Sequence, residues 1–573
     1  MVPTLFFYLP PMPSNTSSLV LGSPRFSDAR LAALADTEGP LAAWQAACAT
    51  DASSAALQAS GDFAVGLQEP SGRTFLAVDR FAIRSLCYRV VDGQIRFAGR
   101  ADELAESADI DPQAIFDYLY FHAIPSPRTI FVGVFRLPPG HYALFEHGQL
   151  TVAPYWVPTF IEPRSASFNS LREEFRGLVR NAVSTQLDGG KAACFLSGGT
   201  DSSTVAGMLS EIGGKQGQKA ASYSIGFDAE GYDEMEYARL ASRHFNTDHH
   251  AYYVTPDDLV RSIADVARAY DQPFGNSSAL PSYYCARMAK DDGVTKILAG
   301  DGGDELFGGN SRYAKQRVFG WYGMVPSGIR SGLMEPMLAQ TADSSIPLLS
   351  KAASYVEQAK VPLPDRLQMY NLLLRLGGPG IGDVLTPAFL NQVNIQGPAE
   401  QQRAIWSVPQ TSSQLNRMLA FDWRYTLAES DLPKVCGTTR LAGLNVGFPM
   451  LNEALLDFSL RLPLEYKLKG LKLRWFFKEA LRGFLPDEIL TKKKQGFGLP
   501  FGVWATRHDG LKKVATDALN SLATRNIVRP VFIRSLLTDR LQEHPGYFGE
   551  MVWILMMLEQ WLQAHAPGYK MEK

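Results

Sequence analysis

Residues 191–211, Lys-Ala-Ala-Cys-Phe-Leu-Ser-Gly-Gly-Thr-Asp-Ser-Ser-Thr-Val-Ala-Gly-Met-Leu-Ser-Glu, restrict the fold more than any other stretch of this chain. The apolar run from Ala192 to Leu196 reads as a short buried strand, Gly198-Gly199 as a turn, and Thr200 onward as a helix opened by small hydroxyl residues. A strand feeding a glycine-rich turn and a helix N-terminus is an anion site, because free backbone N–H groups and the helix dipole point at one spot. Ser197, Ser202 and Ser203 add hydroxyl donors around that spot. Asp201 is repelled by a phosphate unless a cation lies between them, so the stretch predicts a Mg2+-nucleotide with Asp201 on the metal. A Walker-type loop is excluded, since no Gly-Lys-Ser/Thr follows at the required spacing.

From Phe168 the chain alternates helix and strand. Leu171, Phe175, Leu178, Val179, Ala182 and Val183 repeat at helical spacing. Residues 220–227, 249–254 and 296–300 read as further buried strands; 233–245, with Asp233 as cap, and 257–269 read as helices. Repeated β–α units predict a doubly wound parallel sheet with ligands at the strand C-termini, so the loops after Leu196, Phe227 and Ala299 should share one crevice. His249-His250 is not a metal pair, because adjacent residues on a strand point to opposite faces. Residues 271–281 carry the turn chemistry of a substrate-facing loop.

A second glycine-rich stretch, Leu298-Ala-Gly-Asp-Gly-Gly-Asp-Glu-Leu-Phe-Gly-Gly309, holds three carboxylates and five glycines in twelve residues. Glycines admit close backbone approach to a ligand, and the acids offer metal ligands or proton acceptors. Residues 310–420 read as helical, and Lys492-Lys-Lys-Gln-Gly-Phe-Gly-Leu-Pro500 ends the set of motifs.

Residues 1–155 have a different texture: short strand-like runs at 61–67, 74–79, 86–91 and 94–98, with Asp92-Gly93 as a hairpin turn and a helix over 112–121. Prolines 154, 158 and 163 mark a linker. The apolar start, Met-Val-Pro-Thr-Leu-Phe-Phe-Tyr-Leu-Pro-Pro, lacks a basic n-region and reads as an edge strand rather than a signal peptide.

With 573 residues, two or three domains are expected. A net charge of −2 gives no electrostatic case for nucleic acid or an anionic membrane. Five scattered cysteines without a Cys-x-x-Cys argue against a disulfide framework or zinc site and fit a reducing, cytoplasmic location. The most apolar segment, 548–563, is broken by Glu550, Glu559 and Gln560 and reads as an amphipathic helix rather than a membrane span.

Ser197-Gly-Gly-Thr-Asp-Ser-Ser203 resembles the pyrophosphate loop of the ATP pyrophosphatases. Asp79-Arg80, Ile83-Arg84, Leu86-Cys-Tyr88, Phe97-Ala-Gly-Arg100, Thr129-Ile-Phe131 and Arg136-Leu-Pro-Pro-Gly-His-Tyr142 resemble the glutamine-amidotransferase domain of class B asparagine synthetases. The resemblance covers nearly the whole chain in the same domain order. It implies an α+β, Ntn-hydrolase-like (αββα) domain over 1–155. Over 168–573 it implies an α/β ATP-pyrophosphatase domain, adenine-nucleotide-α-hydrolase-like, with extra helices. By the same resemblance Asp304 shares Mg2+ with Asp201, and Asp301 lies beside the reacting carboxyl and the nucleophile. Phe195, Ile225 and Gly300 match adenine-pocket positions, and Lys494, with Lys493 as the alternative, matches the lysine that reaches the α-phosphate and the acyl transition state.

Departures from the family pattern qualify this. Val2 stands where the family exposes its N-terminal cysteine, and the Asn-Gly-Glu glutamine-binding segment is absent between residues 30 and 75, so glutaminase activity is expected to be lost. Asn445, Gly447 and Asn452 stand where Glu, Arg and Asp are usual, which removes an ion-pair network near the substrate. The implied reaction is ATP-dependent amide formation through an acyl-adenylate, releasing AMP and pyrophosphate. The partners are ATP, Mg2+, a small-molecule or peptide carboxylate, and ammonia or an amine; a homodimer stays open. Three versions follow: an ammonia-using asparagine synthetase, an intramolecular amide-forming cyclase like the β-lactam synthetases or lasso-peptide cyclases, and a non-catalytic ATP-binding paralogue.

Overall fold

A computed structural model describes residues 18–106, 108–161, 166–214, 217, 219–229, 231–330, 332, 335–339, 347–376, 380–492 and 498–572. Val2, with the edge strand read at the start of the chain, and Lys493 and Lys494 lie outside the described residues. The chain divides into two compact units, Met1–Val157 with Tyr270–Phe274, and Pro158–Ala269 with Gly275–Lys573.

The N-terminal unit is antiparallel. Its five-stranded sheet runs Ser18–Gly22, Phe63–Gln68, Thr74–Val78, His141–Glu146, Gln149–Pro154 in spatial order. Period-two alternation decides what each face meets. Phe63, Val65 and Leu67 pack with Trp44 and Leu31 of the helices Ala29–Glu38 and Pro40–Asp51. Ala64, Leu76 and Val78 pack instead with Tyr88, Ile95 and Phe97 of a three-stranded sheet. Gly66 is required there, because a Cβ would lie 2.4 Å from the Phe97 ring. The hairpin predicted at Asp92-Gly93 forms, with φ of 51° and 72°.

Asp79 is a buried carboxylate in this unit, 2% exposed. It accepts N–H bonds from Phe63 (3.3 Å), Phe81 (3.0 Å), Ile83 (3.1 Å) and Arg84 (3.2 Å), and so pins the turn after its strand. Burial pushes its pKa up to about 7 against those bonds. The segment Tyr270–Phe274 groups with this unit, where Asp271 accepts from the Ala101 N–H at 2.9 Å. Only the later part of the loop read as substrate-facing, Asn276 and Ser278 onward, lines the cavity described below.

The C-terminal unit is built on a five-stranded, wholly parallel sheet in the order Asp248–Val254, Ala221–Phe227, Ala193–Phe195, Lys296–Leu298, Asn445–Gly447. The helices Phe168–Ser184, Thr200–Gly214, Met235–Phe245, Pro256–Ala269 and Ala279–Asp291 connect or flank its first four strands. The central strand, 193–195, is paired on both sides, and its C-terminal end opens into the first glycine-rich loop. Asn445–Gly447 as a fifth strand was not anticipated. Gly447 pairs beside Leu298, and a Cβ there would meet the Gln186 side chain at 2.6 Å and Leu298 at 3.0 Å, so an arginine at this position would have to displace those side chains. Asn452 caps the helix Glu453–Leu460 by accepting from Ala454 N–H.

Two local readings are corrected, one at a helix N-cap and one at the C-terminal helix. The N-cap of 235–245 is Glu234, and Asp233 only reaches the Met235 N–H at 3.4 Å. His249 bonds Ser222 through Nδ1 while His250 stacks on Tyr223. The helix Pro545–His565 is not amphipathic but buried along most of its length; Glu559, fully buried, is neutralised by Arg525 at 2.6 Å and accepts from Ser521. That helix touches Phe501–Arg507 backbone to backbone: a Cβ on Gly502 would meet Pro545 O at 1.9 Å, and one on Gly549 would meet Gly502 Cα at 2.5 Å. Among the described residues no helix is long and apolar enough to cross a membrane.

Candidate active site

The two glycine-rich loops meet at the C-terminal ends of the central strands, where parallel sheets place their ligands. They bound a cavity of about 940 Å³. Phe195, Ser197, Gly199, Asp201, Ser202, Ile225, Gly300, Asp301 and Asp304 all line it. Gly198 and Ser203 do not. Gly198, at φ 72°, packs against the helix 235–245, where a Cβ would lie 2.5 Å from Ala238 N. Ser203 is fully buried in its own helix.

The first loop is fixed internally. Ser202 Oγ accepts from Ser197 N–H at 3.2 Å, bonds Ser197 Oγ at 3.1 Å and donates to Gly199 O at 3.3 Å. The second loop presses on it: a Cβ on Gly300 would meet Ser202 N at 2.7 Å. Gly303 and Gly309 do the same for the acids, since Cβ atoms there would lie 2.0 Å from Asp201 Oδ1 and 1.7 Å from Asp304 Oδ1. The glycines therefore leave room for two carboxylates from separate loops to meet at one point.

Arg474 marks that point. Its Nη1 donates to Asp201 Oδ2 (2.7 Å), Asp304 Oδ1 (2.6 Å) and Thr200 Oγ1 (3.0 Å), and its Nη2 pairs with Asp201 Oδ1. The side chain is 4% exposed and stacks on Phe477, 3.9 Å from the ring centroid. Burial works against its charge, but the two aspartates outweigh it and hold its pKa above the usual arginine value. Its backbone is left-handed, φ 52°, an uncommon state for a residue with a side chain.

Asp301 faces a second cation. Lys434 Nζ lies 3.8 Å from Asp301 Oδ1 and 2.9 Å from Asp431 Oδ1. Burial pushes Asp301 up to about 6, with Lys434 pulling it back down. Burial also disfavours the Lys434 charge, yet Asp431 and Asp301 raise its pKa overall. Asp431 ends a π-helical segment, Trp423–Asp431, a form that recurs at functional sites. On the far wall Lys492 pairs with Glu234 at 2.8 Å and sits over the Tyr237 ring.

Arg474, Lys434, Asp431 and Lys478 were missed by sequence reasoning. Arg474 and Lys478 stand in Lys472-Leu-Arg-Trp-Phe-Phe-Lys478, where cations flank an aromatic run on both sides; that pairing is the one visible signal.

The oxygens of Asp201 and Asp304 fit a hard divalent cation, because both reach a single atom position and neither site includes sulfur or imidazole. Among the described residues no group of three or more His, Cys, Asp or Glu could hold a metal. Two carboxylates with the remaining positions left to phosphate and water is the manner in which Mg2+ is bound.

Comparison with known proteins agrees with this construction. Residues 26–156 match the family model for a glutamine amidotransferase domain, and residues 174–563 match that for asparagine synthase. The chain is 23% identical to asparagine synthetase [glutamine-hydrolyzing] 1 of Bacillus subtilis over 490 residues, 85% of this chain and 74% of the relative. It is 32% identical to a putative asparagine synthetase [glutamine-hydrolyzing] 2 of Methanocaldococcus jannaschii over 247 residues, 42% and 47% of the two chains. It is 23% identical to amidase chry2 of Gibberella zeae over 509 residues, 80% and 72%. An amidotransferase-like unit joined to a parallel sheet whose two glycine-rich loops converge on paired aspartates, and a family match spanning more than half the chain, place this protein in the class B asparagine synthetase superfamily.

Proposed function

We propose that this protein is an ATP-dependent, AMP-forming carbon–nitrogen ligase that activates a carboxylate as an acyl-adenylate and passes the acyl group to ammonia or an amine. The observation that carries the proposal is the convergence of Asp201 and Asp304 on one position beside the pyrophosphate loop, with Asp301 in the same cavity. In this reading Ser197, Gly199 and Ser202 of the first loop bind the phosphates, and Phe195, Ile225 and Gly300 flank the adenine. Asp201 and Asp304 would hold Mg2+, which would supply charge neutralisation of the phosphates. Asp301, ionised above about pH 6, accepts the proton of the attacking amine. Lys494, or Lys493, supplies the cation for the oxyanion and the departing AMP. The sheet order and loop placement support an adenine-nucleotide-α-hydrolase-like fold for this unit and an Ntn-hydrolase-like fold for the N-terminal one.

Ammonia or an amine is favoured over glutamine by the cysteines. Cys48 and Cys87, both in the N-terminal unit, are buried, and burial pushes their thiols up, Cys48 to about 12. Neither has the character of a glutaminase nucleophile. The missing arginine at Gly447 favours a carboxylate other than aspartate, so the cyclase reading stands beside the asparagine synthetase one.

ATP–pyrophosphate exchange across a panel of carboxylates tests the proposal. Exchange with one acid, followed by amide formation from ammonium or an internal amine but not from glutamine, is expected. Absence of exchange with every acid together with absence of ATP binding overturns it in favour of the non-catalytic paralogue; glutamine matching ammonium overturns the nitrogen-source assignment.

A further inference from the structure

The two carboxylates that fit a divalent cation are already joined by a cation of the chain itself. Arg474 reaches both through Nη1, at 2.7 and 2.6 Å, adds Thr200 at 3.0 Å, and closes a second bond to Asp201 through Nη2. This is not a chance surface pair. The guanidinium is 4% exposed, and the carboxylates are 18% and 19% exposed. Three further features hold it in place. The Phe477 ring backs it at 3.9 Å, its backbone is left-handed at φ 52°, and it precedes the helix Trp475–Ala480 directly. Unusual backbone states persist where surroundings over-determine them and cluster at sites that work through strain or switching. Gly303 and Gly309 leave the space in which all three side chains meet: a Cβ on Gly303 would lie 2.0 Å from Asp201 Oδ1 and 3.0 Å from Arg474 Nη2, and one on Gly309 would lie 1.7 Å from Asp304 Oδ1 and 2.6 Å from Arg474 Cδ.

Two like charges fixed in a partly buried site repel each other strongly and need a counter-charge at every stage of a reaction cycle. A guanidinium has five donors and stays charged, so it satisfies two carboxylates without a hydration shell to shed. A small divalent cation competes for the same oxygens and dehydrates reluctantly.

We propose that Arg474 is a resident counter-cation: it holds Asp201 and Asp304 together before nucleotide binds, keeps divalent metal alone from occupying the pair, and yields to metal only when metal arrives with a nucleotide polyphosphate. The inference rests on the reading of Asp201 and Asp304 as the metal-binding pair. It makes metal entry conditional on substrate, through a residue that the two glycine-rich loops do not contain.

The test is Mn2+ binding to the full-length protein, followed by the loss of the free-ion electron paramagnetic resonance signal, with and without a non-cleavable α,β-methylene ATP analogue. Wild type is expected to bind Mn2+ weakly alone and at least about tenfold more tightly with the analogue. Arg474→Met and Arg474→Gln are expected to bind Mn2+ alone at least about tenfold more tightly than wild type, whereas Arg474→Lys stays near wild type because it keeps the charge. Thermal melts identify folded variants, and R474Q, which keeps a donor to one carboxylate, carries the test if R474M does not fold. Metal-alone affinity in folded R474M or R474Q no tighter than wild type overturns the resident-cation role while leaving the metal pair intact. No Mn2+ binding by wild type even with the analogue overturns both that role and the assignment of Asp201 and Asp304 to metal.

Discussion

Each unit buries charge, and each does so differently. Asp79 in the N-terminal unit is answered by four backbone N–H groups from one turn and its flanking strand. Arg474 and Lys434 in the C-terminal unit are answered by side chains, Asp201 and Asp304 for one and Asp431 and Asp301 for the other. A backbone donor cannot be traded for another partner without undoing the turn that presents it. A side-chain partner can be exchanged by rotation about side-chain bonds, and a substrate or ion can take its place. Charge held by backbone is therefore architectural; charge held by side chains around a cavity is available for work.

The strongest way to break that contrast is at Asp301. Asp301→Asn is expected to lower amide formation by about 10²–10⁴-fold while ATP–pyrophosphate exchange continues, the range associated with removing a proton acceptor. Wild-type amide formation is expected to fall on the acid side of about pH 6, as Asp301 takes up a proton, and D301N should lose that limb. An unchanged rate would make Asp301 architectural after all.

Asp79→Ala tests the other side. It removes the acceptor of four N–H groups and is expected to cost about 4 kcal/mol in urea unfolding, at roughly 1 kcal/mol per lost bond. Turnover with ammonium by the protein that remains folded should be unchanged. The sign of the pH dependence is set by a folded pKa of about 7 against an ordinary 3.8. The protonated form is favoured by the fold, so the contribution of Asp79 is present at low pH and is lost as pH rises from about 4 to about 7. The D79A penalty should shrink across that window. A larger effect on turnover than on stability would erase the distinction between the units.

Lys434→Met gives the smallest effect and the sharpest diagnosis. Its charge lowers the Asp301 pKa, so its removal is expected to move the acid limb of the rate profile to higher pH, read from the same assay. A limb that stays in place would detach Lys434 from Asp301.

The parts of the fold that the sequence made legible are those in which chemistry and geometry share a short segment. Ser197–Ser203 and Gly300–Gly309 announce themselves because glycines, hydroxyls and acids crowd where a strand must end and a helix begin. Asp92-Gly93 does the same for a hairpin. What stayed hidden depends on partners distant in sequence. Arg474 meets Asp201 across 273 positions and Asp304 across 170, and only the aromatic run beside it sets it apart in sequence from a solvated cation. The buried helix at 545–565 was misjudged for the same reason: Glu559 signals solvent until Arg525, 34 residues earlier, is placed against it. Asn445–Gly447 was missed as a strand because three residues carry no period, and only Leu298 and its neighbours give them a ladder to join.

The contact between Gly502 and Gly549 bears on how substitutions near this site will read. Glycine at two helical positions suggests slack, yet here it is a spacer of zero thickness that sets how closely two helix axes lie. The helix Phe501–Arg507 follows Lys492, a residue that lines the cavity, within ten residues in sequence. A methyl group at either glycine would act as a wedge, and its effect would be registered as altered chemistry from a place that holds no reactive atom.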